Sequence, residues 1–93
     1  MVVGILTLDL ATLEARSLKD KRSVIHGLKK RLGNRFNVSI AEVAHLDTPK
    51  RCGLAVAMVT REARPLHAQF DKLVDVVRAT PRLTLIDYTR NIV

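Results

Sequence analysis

The sequence predicts an α+β sandwich, a four-stranded antiparallel sheet with two helices on one face. Three observations carry this. Runs rich in Val, Ile, Leu and Thr alternate with two segments of helical periodicity, in the order strand, helix, strand, strand, helix, strand. Each helical segment has a single apolar stripe, so both must cover the same side of the sheet. Each strand–helix–strand half needs a right-handed crossover, and that restricts how the strands can be ordered.

The first strand is Val2 to Leu10, an almost unbroken apolar run. Ser17 then offers an N-cap hydroxyl, with Asp20 three residues on as a shortened capping box. From Leu18, apolar residues recur at Val24, Ile25, Leu28 and Leu32, which is one helical stripe. Gly33 and Asn34 are expected to stop this helix, because both tolerate a left-handed backbone. The second strand spans Phe36 to Val43, with Val38 and Ile40 alternating against Asn37 and Ser39. A loop containing Asp47, Thr48 and Pro49 leads to the third strand, Cys52 to Thr60. Pro65 suits the first turn of a second helix, whose stripe is Leu66, Phe70, Leu73, Val74 and Val77. Thr80 and Pro81 end it, and Leu83 to Thr89 is the last strand. The expected architecture is a single domain over residues 1–93, a split βαββαβ sandwich of ferredoxin-like type with strand order 4-1-3-2.

Composition narrows the class. A chain that is 47% hydrophobic is not disordered, and no apolar run approaches the ~20 residues of a membrane span. The N-terminus lacks a basic leader, carries Asp9 early and reads as a strand. A single cysteine, Cys52, excludes an internal disulfide and suits a reducing compartment, so a cytoplasmic location is expected.

The charge is concentrated. Eight Lys or Arg residues lie between Arg16 and Arg35 against one acid, Asp20, so this stretch alone matches the formal +7 of the chain. Such a local field points to an anionic partner. At 100° per residue, Val24, Ile25, Leu28 and Leu32 cluster on one side of the helix, while Lys19, His26 and Lys30 lie opposite. Arg22 and Lys29 flank one edge of the stripe and Arg31 the other. Most of this is the ordinary pattern of an amphipathic helix. Two details are not. Lys21 falls inside the apolar stripe and must either snorkel past the sheet edge or meet an anion. Lys19, Lys21 and Arg22 also crowd the first turn, where the helix dipole disfavours cations by roughly 0.3–1 kcal/mol each. A bound phosphate or carboxylate would reverse that cost. The expected anion or nucleic-acid site is therefore Ser17, Lys19, Lys21 and Arg22, continued along the helix by His26, Lys29, Lys30 and Arg35.

The stretch from Ser17 to Val43 resembles the YlxP-like family of small bacterial proteins. The residues that carry the likeness are Ser17, Leu18, Lys19, Lys21 and Arg22, then Arg35, Phe36, Asn37, Val38, Ser39, Ile40, Ala41 and Glu42. The opening Val3–Leu10 and the run Gly53-Leu54-Ala55-Val56 match as well. The resemblance implies a ferredoxin-like fold and a function not yet assigned. Members often neighbour genes for transcription and translation factors, which implies an RNA or ribosome link by association. Many members carry a Trp in the loop before the third strand, where this chain has Pro49.

Other chemistries find little support. The three aromatics, Phe36, Phe70 and Tyr88, lie outside the first and third strands, so RNA cannot stack on the sheet as it does in an RNA-recognition motif. RNA would be held by phosphate contacts, with strong salt dependence and weak sequence preference. His26, His45 and His67 sit in separate elements, and no close pair of metal ligands is present. Nothing places a general base beside Cys52, and Asp9 and Asp87 read as sheet residues. No phosphate-binding glycine loop occurs. No enzyme activity, cofactor or metal is expected.

One further expectation concerns the sheet. Val3, Ile5 and Thr7 face one way, and Gly53, Ala55, Ala57 and Val59 form a second, small and apolar face on the third strand. An open apolar sheet is a liability, so a homodimer through this face is expected. The leading functional expectation is a binding protein for RNA or a ribonucleoprotein surface. The alternative is a regulatory module that takes an anionic metabolite at the helix N-terminus or the dimer interface.

Overall fold

The computed structural model describes residues 1–93, in the order β1 (Val2–Ala11), α1 (Leu18–Arg35), β2 (Val38–Ala44), β3 (Arg51–Thr60), α2 (Ala63–Arg78) and β4 (Thr84–Ile92). The sheet runs β2-β3-β1-β4, which read from the other edge is 4-1-3-2, and every neighbouring pair is antiparallel. The class is α+β, with an open four-stranded antiparallel sheet and two helices.

Alternation along the two central strands decides which side the helices occupy. Leu6, Leu8 and Leu10 of β1 pair with Val56, Leu54 and Cys52 of β3, and all six are fully buried. Against them pack Ile25, Leu28 and Leu32 of α1 and Leu66, Phe70, Leu73, Val74 and Val77 of α2. Full burial of one such side chain is worth about 1.5–3 kcal/mol, so this single layer holds both helices to one face. Gly4 marks the tightest point. A Cβ there would lie 2.5 Å from Leu66 Cδ2 and 2.8 Å from Phe70 Cε2, so glycine lets α2 approach β1.

Three boundaries differ from the sequence reading by more than a single residue. Helix α1 does not stop at Gly33 and Asn34. It continues to Arg35, with an extended Phe36 as its C-cap, and no glycine adopts a positive φ. Phe36 therefore ends the helix instead of opening β2, and its ring leans on the core. Strand β4 runs on to Ile92, because β1 offers pairing partners as far back as Gly4.

Both edge strands carry one extra residue. The register of β2 on β3 shifts between Glu42 and Ala44, leaving Val43 unpaired, and that of β4 on β1 shifts across Ile86. The place of the β2 irregularity decides where Glu42 points. Up to that residue the pairing is regular, and Val38, Ile40 and Glu42 oppose Met58, Val56 and Leu54. Glu42 thus emerges on the helix side of the sheet, with the buried members of β3.

Candidate functional site

Lys21 is the most informative side chain of α1. It sits in the stripe with Ile25, Leu28 and Leu32 and is fully buried. Its Nζ donates to Glu42 Oε2 at 2.9 Å and to the His45 carbonyl at 2.9 Å. The Arg51 and Leu46 carbonyls lie at 3.3 and 3.4 Å. The anion that Lys21 requires is therefore internal. His45 has a φ of 59°, and left-handed backbone at a non-glycine residue costs about 1–2 kcal/mol. The carbonyl contacts to Lys21 help hold that turn.

Lys21 accordingly leaves the expected surface set, because none of its donors is free for a ligand. Its role is to pin the β2–β3 connection under α1. The sequence held a signal for this pair. Glu42 lies two residues beyond Ile40, on the inward register of the second strand, and is a natural counterion for a lysine in an apolar stripe.

Ser17 is the N-cap. Its hydroxyl oxygen accepts from the Asp20 N–H at 3.1 Å. Asp20 Oδ2 accepts from the Arg16 N–H at 3.2 Å, so the reciprocal half of the box closes one residue early. Arg82 Nη2 also donates to both Asp20 oxygens, at 3.1 and 3.0 Å. These contacts, the Arg82 hydrogen bonds first and the Arg16 amide next, hold the Asp20 carboxyl below the usual carboxylate range.

The two flanks of α1 differ. On the flank toward the α2–β4 connection, Arg82 joins Asp20 and lies 3.7 Å from Glu14, while Arg31 Nη1 donates to Thr80 Oγ1 at 3.4 Å. On the flank toward β2, Lys19, Arg22, Ser23, Ile25, His26 and Lys29 form a groove of about 470 Å³ with Glu42 as its far wall. None of Lys19, Arg22, His26 or Lys29 makes an ion pair. Glu42 is the one acid that lines the groove, and its ion pair is with Lys21. Lys30 lies exposed on the outer face, also without an ion pair. Arg35 stands in the last turn of α1, where the dipole favours a cation, and does not line the groove. The geometry thus gathers Lys19, Arg22, His26 and Lys29, leaves Lys30 and Arg35 outside the groove, and assigns Ser17 and Lys21 internal work.

The remaining polar groups have local duties. Asp9 and Asp87 are cross-strand neighbours on the face away from the helices, and Arg51 Nη2 donates to Asp9 at 2.8 and 2.9 Å. Cys52 is fully buried, and its thiol is pushed up to about 12, first by burial and then by Glu42. It therefore stays protonated at neutral pH. His26, His45 and His67 lie in α1, in the β2–β3 connection and in α2. No helix is long and apolar enough to cross a membrane.

The fold and the site together define an α+β sandwich whose first helix carries an unpaired cationic flank. The chain belongs to the family described as a protein of unknown function, DUF503, whose model matches residues 3–90. It is also similar to the uncharacterized protein YlxP of Bacillus subtilis strain 168, with 27% identity over 82 residues, covering 88% of this chain and 89% of that protein.

Proposed function

We propose that this protein acts by binding, not by catalysis, and that it holds RNA or a ribonucleoprotein surface through phosphate contacts along the β2-facing flank of α1. We further read the sandwich as ferredoxin-like and place the protein in the cytosol, where a lone reduced Cys52 is at home. One observation carries the functional reading. Lys19, Arg22, His26 and Lys29 share a groove in which the nearby acid, Glu42, has its ion pair with Lys21. The field of Lys19, Arg22 and Lys29 is left uncompensated and is available to a polyanion.

The lining argues for a phosphate backbone over a metabolite. A small-molecule site is concave and mostly apolar, with a few polar groups to orient the ligand. Here Ile25 is the single hydrophobic residue of seven, so the side chains that would orient a ligand are mainly cationic. Sheet-face stacking does not compete, because Phe70 is wholly inside the core and Tyr88 lies under Arg78, 5.7 Å from its ring centroid.

The test is anisotropy of a labelled single-stranded RNA titrated with the protein at several salt concentrations. With three phosphate contacts, from Lys19, Arg22 and Lys29, log affinity should fall against log salt with a slope of about −2, since each contact on a single strand contributes about −0.7. Absence of binding in very dilute buffer would end this reading. One saturable site for a small anion, sensitive to Arg22→Ala and indifferent to Lys30→Ala, would favour the metabolite alternative.

A further inference from the structure

The face of the sheet away from the helices has no cover within the chain. Its centre is built from Ile5 and Thr7 of β1, Ala55 and Ala57 of β3, Ala41 of β2 and Thr89 of β4, which the register places side by side. These residues are exposed or half-buried, whereas their neighbours in sequence on β1 and β3 are buried. We propose that a second copy of this chain covers this face, sheet against sheet, in a twofold dimer.

Charge selects that occupant. The chain carries a formal +7, and the cations of α1 stand on the opposite side of the sheet. On the open face the charged residues are Arg51, held by Asp9, and Asp87 beside Asp9. Two strongly cationic copies can meet here with both α1 helices turned outward, away from the partner. A nucleic acid gains nothing on this face, which lacks both free cations and aromatic rings. An anionic membrane gains little for the same reason.

Size and shape fit as well. Strands about 4.8 Å apart and about 3.3 Å per residue give this face roughly 500–600 Å², so a face-to-face pair buries on the order of 1,000–1,200 Å². That reaches the lower bound of a specific interface. Alanine and threonine at the centre keep the surface flat, so two such sheets can stack closely without the interlocking of large side chains. The contact is isologous, and each residue near the axis meets its own copy.

The proposal does not depend on the reading of α1. Sedimentation equilibrium of the intact chain at about micromolar concentration should give twice the 10.4 kDa of one copy. Ala57→Arg places a charge at the centre of the face, where it meets its symmetry mate, and should halve the apparent mass. Thr89→Arg, at an exposed edge-strand position, should do the same with less risk to folding. Circular dichroism confirms that the compared species are folded. A wild-type monomer at about 100 micromolar overturns the proposal. So does a wild-type dimer that survives both substitutions, since its interface must then lie elsewhere. A stable complex with some other protein on this face, formed by monomers, also overturns it.

Discussion

The two flanks of helix α1 carry similar residues and meet different fates. Toward α2, Asp20 accepts two hydrogen bonds from Arg82, and Arg31 finds Thr80. That flank is locally satisfied and serves to fasten the α2–β4 connection to the start of α1. Toward β2, Lys19, Arg22, His26 and Lys29 stand without a carboxylate, although Glu42 forms the wall of the same groove. The difference lies beneath the surface. Lys21 draws Glu42 inward, and the flank above it loses its counterion. A buried structural pair thereby sets the electrostatics of the exposed groove.

The largest expected effect comes from removing that pair. Lys21→Met should cost about 3–5 kcal/mol in urea denaturation, because it strands Glu42 and frees carbonyls of the β2–β3 connection. A loss below about 1 kcal/mol would mean that the connection holds itself, and that the pair does not organise the flank. Glu42→Gln is the informative companion. It should destabilise the fold, yet tighten polyanion binding a few-fold, since it removes the one negative group from the groove.

Charge reversal on the two flanks comes next. Lys19→Glu with Lys29→Glu should weaken RNA binding on the order of 10–100-fold and flatten the salt slope by about 1.4. Arg31→Glu on the opposite flank should change affinity far less. Equal losses from both flanks would show that only net charge matters, and the distinction between the flanks would disappear.

Glycine substitutions give a smaller effect. Gly27 and Gly33 both lie inside the helix, and a methyl group added at either would meet nothing within 4 Å. Each change to Ala should therefore add about 0.5–1 kcal/mol of stability. If either change weakened RNA binding while stabilising the protein, that side of α1 would be in close contact with the ligand.

The smallest expected effect is acid dependence on the α2 side. Asp20 has a lowered folded pKa, so its contribution is present above its ordinary value of 3.8 and is lost as pH falls through the folded value. Asp20→Asn should therefore flatten the acid limb of the stability profile below about pH 4 and leave its shape near pH 7 unchanged.

Much of this fold was readable from residue order. The stripe Leu66, Phe70, Leu73, Val74 and Val77 is buried in full, because burial follows a local periodicity directly. The first strand is apolar on both faces, and only packing shows that Leu6, Leu8 and Leu10 are the residues turned to the helices. The end of α1 was not readable. Gly33 and Asn34 permit a stop but do not enforce one, and the packing of Leu32 and Phe36 carries the helix on to Arg35. The candidate site divides in the same manner. Helical pitch put Arg22 and Lys29 on one edge of the stripe and Lys19 and His26 opposite it with Lys30, and the structure brings the first four into one groove. Whether these side chains had partners was not readable, because alternation with Val38 and Ile40 turns Glu42 inward but does not say which cation it meets on another element.

What the chain specifies on its own is a pattern: which helix positions turn inward, where the positive charge accumulates, and that Lys21 must either reach out of the stripe or meet an anion. Periodicity and proximity along the backbone are enough for that. Which carboxylate answers Lys21 was settled only when β2 paired with β3 and brought Glu42 under α1. Long-range pairing of this kind depends on the register between distant segments, and local sequence cannot express it.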